Sequence, residues 1–104
     1  MTISAIGIDV PNAIGVIVTD DTLSVELSDG RSISVPLAWY PRLVHADQAE
    51  QSKWKFIGQG EGIHWEAVDE DLSVEGLLAG RPSGESQLSF QRWLSTRKSR
   101  LTRG

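Results

Sequence analysis

Apolar and polar side chains alternate along much of the stretch from residue 13 to 37, the period that lines one face of a β-strand with apolar groups. In AIGVIVTD, Ile14, Val16 and Val18 are expected on one face of a strand and Ile17 on the other. LSVELSDGRSISVPL then offers Leu23, Val25 and Leu27 before a turn, and Ile33 and Val35 after it. A two-residue turn at Asp29-Gly30 would set Val25 opposite Ser34 and Glu26 opposite Ile33, mixing the two faces. A three-residue loop, Ser28-Asp29-Gly30, pairs Leu27 with Arg31, Val25 with Ile33 and Leu23 with Val35. It also puts a glycine where left-handed backbone is required. The expectation is a hairpin with one apolar face, which must be covered, and one polar face of Ser24, Glu26, Ser32 and Ser34.

The cover is expected to begin in PLAWYPRLVHADQAEQSKW, as two short helical pieces near residues 40–46 and 48–53. Pro41 suits a first helical turn, where its missing N–H is no loss. Asp47 and Glu50 have capping-box spacing, and Leu43, Ala46 and Ala49 would face the sheet. A second hairpin follows, with Trp54 and Phe56 outbound, GQGEG as the turn, and Ile63, Trp65 and Ala67 returning. Ser73 is the expected N-cap of a helix with Leu72 and Leu77 as a hydrophobic staple, Val74, Leu77 and Leu78 as its buried stripe, and Gly80 and Pro82 as its stop. Asp69, Glu70, Asp71 and Glu75 would cluster at the positive end of that helix.

After Pro82 the composition shifts. In residues 83–104, Phe90, Trp93, Leu94 and Leu101 fall along one side of a helical projection, with Arg92, Lys98 and Arg100 elsewhere. This segment is expected to be helical or disordered in isolation. The expected fold is α+β: a small antiparallel sheet built from hairpins, short helices on one face, and a basic C-terminal helical tail. The division falls at 1–82 for the α+β domain and 83–104 for the basic amphipathic tail.

A length of 104 residues fits one domain. Cysteine is absent, which excludes disulfides, thiolate zinc sites and cysteine nucleophiles. The net charge of −4 hides a split: thirteen of the fourteen acidic side chains lie before residue 81, and six of the ten basic ones after residue 80. A basic tail of this kind can bind nucleic acid or lie on an acidic surface. No apolar run reaches the length of a membrane span and the first residues lack a basic leader, so the expectation is a cytoplasmic protein with no membrane contact.

Candidate chemistry is thin. His64-Trp65-Glu66 has the His-x-Glu spacing of zinc deaminases, but their Pro-Cys-x-x-Cys element is missing. Further ligands would have to come from His45 or the Asp69 to Asp71 cluster, so His64, Glu66 and Asp69 stand as a candidate surface site with no metal or cofactor assigned. The GQGEG stretch leads into a strand rather than a helix, which suits a hairpin turn and not a phosphate loop. The acidic run from Glu66 to Asp71 offers magnesium ligands or paired carboxylates, although a solvated helix start explains it more simply. No serine sits in a nucleophile elbow, and no catalytic residue is assigned. Four tryptophans are first explained as core or interface; Trp93, in the basic tail, needs a surface on which to dock.

LSVELSDGRSISVPLAWYPRL and GIHWEAVDEDLSVEGLLAG, with Trp54 between them, resemble the bacterial family known as domain of unknown function 2442, over about residues 14–82. The resemblance implies a small α+β domain with a curved antiparallel sheet and helices on one face. It also implies partner-binding or antitoxin-like roles, since such proteins are often encoded beside another small protein. Some relatives carry a helix-turn-helix, which this chain does not show, and the family supplies no catalytic residues. The leading expectation is therefore a non-enzymatic interaction module with a small protein partner, contacted through Phe90, Trp93, Leu94, Arg97 and Arg100. The alternative is a regulator that binds nucleic acid through the basic tail. A third expectation is a homodimer, because a one-sided sheet with short helices leaves apolar surface to cover.

Overall fold

The computed structural model describes residues 10–103, with side chains through Arg97. The first alternating stretch forms β1 (Ala13–Val18), β2 (Thr22–Leu27) and β3 (Ser32–Pro36), an antiparallel sheet in the order β1-β2-β3. The β2–β3 register is the one the three-residue loop requires: Val25 lies opposite Ile33 and Leu23 opposite Val35. Leu27 N–H donates to the Arg31 carbonyl at 2.8 Å, and Gly30 takes φ 91. On the wet face the Ser24 and Ser34 hydroxyls meet at 2.8 Å.

A 3-10 turn (Leu37–Trp39) leads into α1 (Pro41–Val44) and α2 (Gln48–Gln51). The Asp47 side chain accepts from Glu50 N–H at 2.7 Å and Glu50 reaches back to Asp47 N–H at 2.9 Å, completing the capping box. A second antiparallel sheet then forms from β4 (Trp54–Ile57), β5 (Gly62–Trp65) and β6 (Glu70–Ser73), followed by α3 (Val74–Leu78) and α4 (Gln87–Arg103). The two sheets are tied together at the β4–β5 turn, where Ala13 N–H donates to the Gly60 carbonyl at 2.7 Å.

One core serves both sheets. Leu23, Val25 and Leu27 come from the first, Ile63 and Trp65 from the second, and Leu37, Leu43, Val68 and Val74 from the connecting segments. All nine are essentially inaccessible, and burying each contributes about 1.5–3 kcal/mol. Trp65 fills the centre and satisfies its indole N–H on the Gln51 carbonyl at 2.9 Å. Among the described residues the buried set contains no charged side chain.

The structure departs from the sequence pattern in several places. The β1–β2 register slips between Ala13 and Gly15, so the bulge turns Ala13 inward and leaves Ile14 exposed, away from Val16 and Val18. Ala49 lies on the outer side of a single-turn α2 and is exposed, whereas Leu43 and Ala46 are buried as expected. Leu78 is exposed at the end of a five-residue α3.

The largest difference is the acidic run, which does not begin a helix. Ala67 lies in a turn, not on the returning strand, and Asp69 closes that turn at φ 52 with its N–H on the Glu66 carbonyl at 3.3 Å. Aspartate tolerates this left-handed backbone better than most residues. Glu70 to Ser73 then pair with β5, setting Leu72 opposite Ile63 and Asp71 opposite His64. Burial of Leu72 against the core outweighs the weak strand preference of the two acids before it. Only Glu75 remains in the first turn of α3, where Ser73 caps Gly76 N–H at 2.9 Å.

Candidate functional site

The tail helix does not project freely. Ser86 starts it, its hydroxyl accepting from Ser89 N–H at 3.1 Å and its carbonyl from Phe90 N–H at 3.0 Å. Phe90, Trp93, Leu94 and Arg97 recur at helical spacing, and all four are half-buried. Trp93 packs against the edge of the core. Its ring stacks on Phe90 with centroids 5.8 Å apart, and Phe90 in turn lies 5.4 Å from the His45 ring at the end of α1. Two guanidinium groups lie over the Trp93 ring, Arg42 at 5.1 Å and Arg97 at 5.5 Å, within cation–π range.

Both arginines are held by carboxylates. Arg97 binds both oxygens of Glu50 on α2, one at 3.0 Å and one in a shorter bond, and also donates to the His45 carbonyl at 3.3 Å. Arg42 binds Glu85 from Nε at 3.0 and 3.1 Å and from Nη2 at 2.5 Å, and donates Nη1 to the Val68 and Asp69 carbonyls. Each pairing holds its guanidinium more firmly protonated, and Arg42 lowers the pKa of Glu85. The result is an alternation of charge and aromatic ring (Glu50, Arg97, Trp93, Arg42, Glu85) that runs across the seam between α4 and the helices α1 and α2.

Of the tail residues singled out in the sequence, the structure thus brings Phe90, Trp93 and Arg97 together on the chain's own body. Leu94 is half-buried, and the Arg100 side chain lies outside the described residues. The residues that receive them, Arg42, His45, Glu50 and Glu85, carried no such assignment. Glu50 was marked only by its capping-box spacing, His45 only as a candidate ligand, and Glu85 stands out as the single acidic side chain of the basic tail.

The second candidate does not assemble as a set. His64 pairs through Nδ1 with Asp71, directly across from it on β6. Glu66 instead faces Lys55 at 3.8 Å, with both side chains well exposed. Asp69 is exposed in the turn, and its carbonyl goes to Arg42. Among the described residues no group of three or more His, Cys, Asp or Glu is close enough to hold a metal ion.

Glu70 is the other unusual group. In the β5–β6 register it lies opposite Trp65 and on the same face as Leu72, where the fold points its apolar side chains. It borders a recess of about 200 Å³ that is also lined by Tyr40, Leu77 and Arg81. Burial is the main force raising its pKa to about 7, opposed by nearby Arg42 and reinforced by Glu85, Asp71 and Asp69. Tyr40, whose hydroxyl donates to the Arg81 carbonyl at 3.2 Å, is also raised, first by burial and then by the charge of Glu70.

No helix among the described residues is long and apolar enough to cross a membrane. No curated protein matches the chain. Among solved structures, a crystal structure of a protein of unknown function from Rhodospirillum rubrum is similar at 29% identity and a TM-score of 0.62, covering 74% of this chain and 95% of that one. The model of a family described as "Protein of unknown function (DUF2442)" matches residues 13–83, which takes in both sheets and α1 to α3 and stops before α4. The chain belongs to the DUF2442 family.

Proposed function

We propose that this protein is a non-enzymatic interaction module, one half of a small two-protein system in the manner of an antitoxin. The observation that supports this reading is the seam under α4. It is built from a tryptophan, a phenylalanine and two arginines, the residue types that dominate protein–protein contacts. Among the described residues the buried core runs from Ala13 to Leu77, and the described part of α4 adds no fully buried side chain to it. A helix held this way fits an exchangeable recognition element better than a structural one. The nucleic-acid alternative has less support, because Arg97 is committed to Glu50.

The reading is tested by isolating the tagged chain from its native cell and identifying co-purifying proteins, alongside Trp93→Ala and Leu94→Ala. A stoichiometric partner whose recovery changes with these substitutions supports it. A chain that elutes alone under gentle conditions, with and without the substitutions, contradicts it.

A further inference from the structure

The surface formed by α1 and α2 has a known ligand, because α4 is seated on it. His45 meets an aromatic ring, the Glu50 carboxylate takes a guanidinium in a two-point bond, and the His45 carbonyl takes a further N–H from that same group. The family match contains this seat but ends at residue 83, before its occupant begins at Gln87. The matched segment therefore carries the seat and not the helix that fills it here.

We propose that the α1–α2 surface is a docking seat for an amphipathic helix supplied in trans by a partner protein. That helix carries an aromatic anchor and, one turn later, an arginine for Glu50; α4 is the in-cis occupant it displaces. This rests on the interaction reading above and specifies the partner's chemistry. A second copy of this chain is the weaker occupant. Its α4 would make the same contacts as the resident one, and a tethered helix enjoys an effective concentration near the millimolar range. A partner with better contacts can overcome that advantage.

The probe is a fluorescein-labelled peptide spanning residues 85–97, titrated by anisotropy into the full-length chain and into full-length Arg97→Glu, which sets like charges at Glu50 and loosens the resident helix. The expected result is binding at least tenfold tighter to the Arg97→Glu chain than to wild type, with the gain lost when the peptide itself carries Arg97→Glu. Full-length Trp93→Ala provides a second loosened chain should Arg97→Glu fold poorly. Affinities equal within twofold for wild-type and loosened chains would overturn the proposal. So would a loosened chain that becomes a dimer without peptide, which would make the second copy the occupant. The two failures are distinguishable: equal peptide affinities remove the seat whatever co-purifies, whereas a chain that binds peptide but captures no protein removes the partner helix and leaves α4 as the occupant.

Discussion

Arg97 on α4 binds both carboxylate oxygens of Glu50 on α2, across 47 residues of sequence. Glu50 is also half of the capping box of its own helix, accepting from Asp47 N–H. One side chain therefore starts α2 and holds α4. A planar guanidinium meeting a carboxylate at two points is among the stronger polar contacts available, and here both partners are largely shielded, at 11% and 22% exposure.

The two duties of Glu50 can be separated by Glu50→Gln, since glutamine still serves a capping box but carries no charge for Arg97. A double-mutant cycle of Glu50→Gln with Arg97→Gln, followed by urea denaturation and helix content, should give a coupling of about 1–2 kcal/mol. Far-UV circular dichroism of the single Glu50→Gln variant should show little loss at α2. A coupling near zero would mean that the pair adds nothing to the docking of α4.

Glu70 gives the protein a pH dependence whose sign follows from its burial. Its pKa is raised from 4.5 to about 7 in the folded state. Between those values the folded chain binds more protons than the unfolded one, so the contribution of this group to stability declines as pH rises from about 4.5 to 7. Glu70→Gln, which carries no charge at any pH, should be more stable than wild type at pH 8 by about 2 kcal/mol once the solvent screening of this half-buried group is discounted. The advantage should shrink toward pH 4.5. Urea titrations of both proteins across that range provide the check, and a difference independent of pH would contradict the assignment.

Two turn glycines separate backbone freedom from steric room. Gly30 and Gly60 both have positive φ, 91 and 102. A Cβ on Gly30 would meet nothing within 4 Å, whereas one on Gly60 would lie 2.6 Å from the Ala13 carbonyl oxygen, beside the link between the two sheets. Gly30→Ala should cost about 1 kcal/mol, the ordinary charge for left-handed alanine. Gly60→Ala should cost about 3 kcal/mol or more, because β1 has to shift as well. Equal losses in chemical denaturation would show that the Ala13–Gly60 contact yields easily.

The parts of the fold legible in the sequence are those that local spacing and alternation decide without a distant contact. The β2–β3 register followed from keeping Leu23, Val25, Ile33 and Val35 on one face, and Gly30 confirmed the loop. The Asp47–Glu50 box and the Ser73 cap followed from spacing alone. Strand β6 was hidden because its four residues include two acids and sit between a turn and a strong N-cap, so local preference pointed to a helix start. Only the pairing of Leu72 with Ile63, a tertiary fact, selects the strand. The Ile14 orientation was lost to a bulge, which shifts the alternation by one without marking the sequence strongly. For the candidate site, the stripe of Phe90, Trp93 and Leu94 stated that α4 needs a cover. It did not name the cover, because Arg42, Glu50 and Glu85 are ordinary surface charges until the helices bring them together.

Hydrogen exchange by mass spectrometry, at low and high salt, addresses most directly the claim that α4 is a separable unit seated on a complete core. The expected result is that amides of residues 87–97 exchange through a local opening that grows easier as salt screens Glu50–Arg97 and Glu85–Arg42, while amides of β2 and β5 exchange only with global unfolding. If α4 instead exchanges at the same rate as β2 and β5, with no response to salt, the helix is an integral part of the core and the account fails.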